Sequence, residues 1–226
     1  MRELVASGLR RAYTMLKRQR LDSSGDYWQQ RYARGETSGF GSYGRLAEFK
    51  ADVLNQVVAE RSVATVIEFG CGDGAQLAMM RYPSYRGVDV SPAAVAVCQK
   101  KFAGDPTRSF MTLDEFRSTR PTADLALSLD VIYHLVEDAV FDGHMRDLFG
   151  AAQRLVAIYS SNSDRIGDPA PHVRHREFTR WIAQHAPEWS CAATYKNPYP
   201  YRWWNRKHSS HCDLFLFGRA PRQRQD

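Results

Sequence analysis

Apolar and polar positions along this chain follow two rhythms, one of about 3.6 residues and one of short continuous runs. Between residues 3 and 19, Val5, Leu9, Ala12, Tyr13 and Leu16 fall on one helical face, with Arg10, Arg11, Lys17 and Arg18 on the other. After a break at residues 21–25, Tyr27, Trp28 and Tyr32 predict a short aromatic helix, and the Gly- and Ser-rich stretch 35–44 reads as a loop. From Arg45 onward, Leu46, Phe49, Val53, Leu54, Val57 and Val58 again repeat at helical spacing.

Short apolar runs then alternate with helical stretches. Strands are expected at 64–69, 85–88, 109–111, 124–129 and 154–160, and helices at 75–81, 137–152 and 177–185. Another helix opens at Ser91-Pro92, a capping side chain followed by a proline suited to the first turn. The runs 191–195 and 213–217 close the chain as strands with only a loop between them, so they should pair antiparallel at one edge. The pattern predicts an α/β fold: a doubly wound, mostly parallel seven-stranded sheet with an antiparallel last strand and an N-terminal helical extension. Residues 1–40 form the extension or cap, 41–220 one ligand-binding domain, and 221–226 a disordered basic tail.

Composition changes this picture little. The 226 residues are 43% hydrophobic and 25% charged, as in an ordinary globular protein, and no apolar run approaches the ~20 residues of a membrane span. The N-terminus lacks a signal-peptide core, which makes the cytoplasm the default location. Cys71, Cys98, Cys191 and Cys212 form no CxxC pair, so reduced, mostly buried thiols are expected, with neither zinc nor a disulfide framework. The net charge of +6 is concentrated at the two ends of the chain. The basic N-terminal helix is suited to packing on the domain, on a second copy as a homodimer contact, or peripherally on an anionic membrane.

The chemistry concentrates in Val66-Ile67-Glu68-Phe69-Gly70-Cys71-Gly72-Asp73-Gly74, at the junction of the first expected strand and the helix after it. Glycines there permit a sharp turn and the approach of a ligand to the backbone. Asp89 ends the second strand, where a carboxylate can accept both hydroxyls of a ribose. Gly70, Gly72 and Ala75 also satisfy a dinucleotide-binding spacing. An acid at position 68, the lack of room for a second domain and the antiparallel strand pair argue against a nicotinamide enzyme.

Residues 40–218 resemble the class I S-adenosylmethionine-dependent methyltransferases, in a bacterial subgroup associated with glycan and secondary-metabolite pathways. Glu68 to Gly74 is similar to their first motif and Gly87-Val88-Asp89-Val90-Ser91 to their second. The subgroup likeness rests on residues 41–50 and 171–176. The resemblance implies S-adenosylmethionine as cofactor, held by Glu68, Gly70, Gly72, Asp89 and Val90. It further implies Leu113 and Asp114 at the adenine, Leu129 and Asp130 near the sulfonium, and Arg45 or Tyr43 at the cofactor carboxylate.

A hydroxyl acceptor needs a proton acceptor, and His134, directly after strand four, is the first candidate, with His172 and His175 next. Tyr133, Arg174, Tyr201 and Trp203 are candidate acceptor contacts, the last two in a segment dense in aromatic and basic residues. The expected function is O-methylation of a sugar, glycan or other small polar acceptor. A nucleic-acid methyltransferase is the alternative, opposed by the absence of an Asn/Asp-Pro-Pro-Tyr/Phe motif after strand four. A non-catalytic cofactor-binding partner protein is a third reading. The histidine spacing matches no standard metal site.

Overall fold

A computed structural model describes residues 23–167 and 170–219. The helix expected at 3–19 and the tail 221–226 lie outside these. The described chain begins with helix α1 (Ser24–Ala33), a 3-10 turn at Phe40–Ser42 and helix α2 (Gly44–Glu60). Strands β1 (Thr65–Phe69), β2 (Ser84–Asp89), β3 (Arg108–Thr112), β4 (Ala123–Leu129) and β5 (Ala152–Ser160) then alternate with helices. These are α3 (Pro92–Lys101) between β2 and β3, α4 (Leu113–Thr119) between β3 and β4, and α5 (Asp138–Ala151) between β4 and β5. Helix α6 (Phe178–His185), β6 (Trp189–Tyr195) and β7 (Asp213–Arg219) complete the fold.

The strands form one sheet in the order β3-β2-β1-β4-β5-β7-β6. β1 to β5 run parallel, and β7 is inserted antiparallel between β5 and β6. Side chains alternate between two cores, one on each face. Val66, Leu125, Leu127, Tyr159 and Leu214 pack with Leu54 and Val57 of α2, while Ile67, Phe69, Ala126 and Ile158 pack with Met145, Leu148 and Phe178. Burial on both faces explains why the strands read as continuous apolar runs.

Two local expectations are corrected. The helix expected at 75–81 is a single 3-10 turn, Gln76–Met79, because Met80 turns extended (ψ 140) shortly before Pro83. The helix α4 had not been expected, yet Thr112 and Glu115 form a reciprocal capping box at its start. The sheet order reverses between β1 and β4, which opens a crevice at the C-terminal ends of those strands.

Candidate cofactor-binding and catalytic site

The crevice is built from the turn after β1. Gly70 has φ +86 and donates its N–H to Val88 O at 2.7 Å, tying the turn to the end of β2. A Cβ at Gly70 would collide with Val131 Cγ2, and one at Gly72 (φ +57) with Ser38 Oγ and Tyr32 Oη. Either substitution is excluded on space and on backbone conformation together. Asp89 accepts N–H bonds from Gly72 and Ser91, each at 2.9 Å. Burial pushes its carboxyl up to about 6 against the opposing pull of these backbone donors.

Glu68, also buried, accepts a 2.6 Å hydrogen bond from Tyr85 Oη. Burial raises it to about 7, opposed by the Tyr85 hydroxyl and the Lys50 ammonium. Tyr85→Phe is therefore expected to cost about 1.5–3 kcal/mol in urea unfolding at neutral pH and to move Glu68 still higher. Unchanged stability would show that the bond adds nothing over solvation of the two groups.

A cleft of about 1020 Å³, measured to its open mouth, lies over these residues. Glu68, Asp73, Asp89 and Asp130 line it with carboxyl groups, and Phe69, Val88, Leu113, Leu129 and Val140 with apolar side chains. Such a mixed lining fits a ligand with a cationic head and a flat apolar base. Gln76 also lines the cleft, buried, with Oε1 lacking a hydrogen-bond partner; it is an acceptor suited to an ammonium or amino group. The residues present thus fit S-adenosylmethionine, whose amino, sulfonium, ribose and adenine groups ask for these surroundings.

At the end of β4, Asp130 adopts φ +61, an uncommon conformation for a residue with a side chain. Its carboxylate pairs with the fully buried Lys50 and accepts from Tyr133 Oη at 2.8 Å. Lys50 also donates to Gly41 O at 3.0 Å and lies over the Tyr159 ring. His134 lines the cleft one turn further on, and its Nδ1–H donates to His172 O at 3.1 Å. A carbonyl can only accept, so the neutral imidazole carries its proton on Nδ1 and leaves Nε2 as the acceptor. Burial lowers its pKa to about 4.

Of the residues singled out from the sequence, Glu68, Gly70, Asp89, Val90, Leu113, Leu129, Asp130 and His134 line one cleft, with Gly72 in the turn behind it. Others lie elsewhere. Arg45 donates to His208 O at 2.8 Å and lies over the Tyr199 ring, which draws it away from the cleft. Asp114 is exposed in the first turn of α4, because the helix directs Leu113 inward in its place. His172 stacks between Tyr27 and His134, with ring centroids at 4.6 and 5.6 Å. His175 meets Ser161 Oγ at 2.6 Å behind Tyr133. Arg174 binds Val136 O and Asp138, a clamp on the loop after β4. Tyr201 stacks on His211, and Trp203 is exposed. Cys191 is exposed, whereas the other cysteines are buried.

The sequence had not pointed to several cleft residues. Ser24, Gly25, Trp28 and Tyr32 of α1 cover the cleft, with Ser38 and Ser42 beyond them. Ser24 anchors this cover by donating its N–H to Glu137 Oε1 at 2.8 Å. His144 lines the cleft from α5 and meets Ser128 Oγ at 2.8 Å. A histidine on the apolar face with Phe141, Met145 and Leu148 was the available signal. Arg117 and Trp28 carried none. Among the described residues, no three His, Cys, Asp or Glu side chains are grouped to hold a metal ion.

Comparison with known proteins agrees with this geometry. Residues 67–149 match a family described as a methyltransferase domain. The N-methyltransferase NodS of Bradyrhizobium japonicum, solved with S-adenosyl-L-homocysteine, superposes with a TM-score of 0.66 at 16% identity, covering 88% of this chain and 100% of that one. Magnesium protoporphyrin IX methyltransferase of Synechocystis, solved with bound S-adenosylmethionine, gives 0.60 at 18% identity over 92% and 97%. The mouse EEF1A lysine methyltransferase 4 is 32% identical over 92 residues, 39% of this chain and 35% of its own length. The chain thus spans about a third of that curated relative. Residues 67–149 thus match a methyltransferase domain, and the described chain shares the fold of structures solved with S-adenosylmethionine or its demethylated product.

Proposed function

We propose that this chain methylates a hydroxyl of a small polar acceptor, a sugar or glycan intermediate being the favoured class. The observation that carries this reading is His134. Its Nδ1 proton is engaged by His172 O, and its Nε2 is an acceptor on the wall of the same cleft as Asp89 and Glu68. The bound cofactor supplies a methyl carbon activated by positive sulfur. Glu68, Gly70, Gly72, Asp89, Val90, Leu113, Leu129 and Asp130 hold it, and alignment of the two reactants accounts for most of the rate. His134 receives the acceptor proton. Ser24, Gly25, Trp28 and Tyr32 of helix α1 form part of the cleft lining beside this site.

Calorimetric titration with S-adenosylmethionine, S-adenosylhomocysteine and NAD comes first, followed by acceptor screening for release of S-adenosylhomocysteine. Micromolar binding of the first two and turnover on hydroxylated sugars are expected. Turnover confined to amines or RNA would overturn the acceptor class, and binding of NAD alone would overturn the cofactor site. A pH series adds a second check. Asp89 and Glu68 ionise near about 6 and 7, and their charge favours a cationic ligand, so affinity is expected to rise between pH 5 and 8. Stability without ligand moves the opposite way. Raised folded pKa values give stability that is complete below the unfolded carboxyl pKa of ~4 and is lost as pH rises through about 6 to 7. Thermal unfolding at the same pH values measures this.

A further inference from the structure

Phe40, Trp203 and Trp204 are 60, 72 and 65% exposed, the three most exposed large apolar side chains among the described residues. The tryptophans open a 3-10 turn, Trp203–His208, that packs against the turn carrying Phe40. Ser209 Oγ donates to Asn205 O at 2.7 Å and accepts from Arg202 N, and Arg45 holds His208 O. The turn is therefore built to present these rings. Arg202, Arg206 and Lys207 around them are exposed, and none is in an ion pair among the described residues. No acidic residue occurs from position 189 to 212.

We propose that the Trp203–His208 turn and Phe40 form a docking surface for an anionic phospholipid bilayer. Indole and phenyl rings beside uncompensated cations suit the headgroup layer, where the rings enter the interface and the cations meet lipid phosphates. The ring geometry disfavours single-stranded nucleic acid. Trp203 and Trp204 meet edge to face at 89°, so they offer no parallel platform for successive bases. Arg202 lies over Trp204 and Lys207 over Phe40, so one face of each of these rings is already occupied by a cation. Ser38 and Ser42, on either side of Phe40, line the cofactor cleft. Docking would thus bring the cleft mouth to the membrane and favour an acceptor carried on lipid, a step that rests on the methyltransferase reading while docking itself does not.

The test is sedimentation of the full chain with vesicles of phosphatidylcholine alone or mixed with phosphatidylglycerol, together with tryptophan emission. Binding to the mixed vesicles only, with a blue shift, is expected. The double variant Trp203→Ala/Trp204→Ala should lose about tenfold or more in partition. Arg206→Glu/Lys207→Glu should lose at least that, since each cation near such a surface contributes about fivefold. Cofactor titration and thermal unfolding of each variant check that it is folded. No vesicle binding would overturn the proposal. So would binding unchanged in both variants, which would assign attachment to residues 1–22. Binding of an RNA oligonucleotide, or dimerisation, that the variants abolish while vesicles stay unbound would also overturn it.

Discussion

Asp89→Ala is expected to weaken S-adenosylmethionine binding about a hundredfold or more in calorimetric titration. The expected loss combines an observed role of Asp89 with a proposed one. Its oxygens hold the N–H groups of Gly72 and Ser91, which keeps the turn after β1 in register with the end of β2. It also faces the cleft, where a ribose would present two hydroxyls. Hydrogen bonds to a charged group contribute ~1.5–3 kcal/mol each, so two lost ribose bonds exceed a factor of a hundred. S-adenosylhomocysteine shares the ribose and should lose as much. The two functions separate by stability. Loss of the loop bonds lowers the unfolding midpoint without ligand, whereas loss of the ribose bonds does not. Unchanged affinity would remove Asp89 from the cofactor site altogether.

The part of the cleft built from strand ends was legible because its signal is local. Glu68, Gly70, Gly72 and Asp89 sit at strand ends, and strand ends in a parallel sheet converge on one edge. A run such as Val66 to Gly74 therefore carries both the first strand and part of the cleft lining. Residues that reach the cleft through tertiary packing left no such trace. Arg45 lies at the start of α2 and Lys50 little more than a turn later. Helical rotation directs Lys50 inward to Asp130 and Arg45 outward to His208. Neither spacing nor residue type reveals which of two cations faces the core. Asp114 and Leu113 repeat the case one residue apart. Helix α1 was expected as a short aromatic element, yet nothing in its sequence marked it as the cover of a cleft built more than thirty residues later.

His134 tests the acceptor half. His134→Ala should lower turnover by about 10²–10⁴ while cofactor affinity stays essentially unchanged. A pKa near 4 makes the imidazole a weak base. A neutral hydroxyl attacking a methyl carbon on positive sulfur becomes strongly acidic as the new C–O bond forms. The proton can then leave late, and a weak but correctly placed acceptor suffices. Burial, the main cause of the low pKa, has a further consequence: His134 is neutral throughout the working range. With S-adenosylmethionine kept saturating, turnover should therefore hold level as pH falls past 6.5, where an ordinary histidine would titrate, and decline only toward about 4. Level turnover is also the signature of an enzyme with no titrating base, and the alanine variant distinguishes the two. Normal turnover in that variant would transfer the proton to His172 or His175. His172 is next to His134 and would need only to rotate from its stack on Tyr27. His175, behind Tyr133, would need the loop after β4 to open.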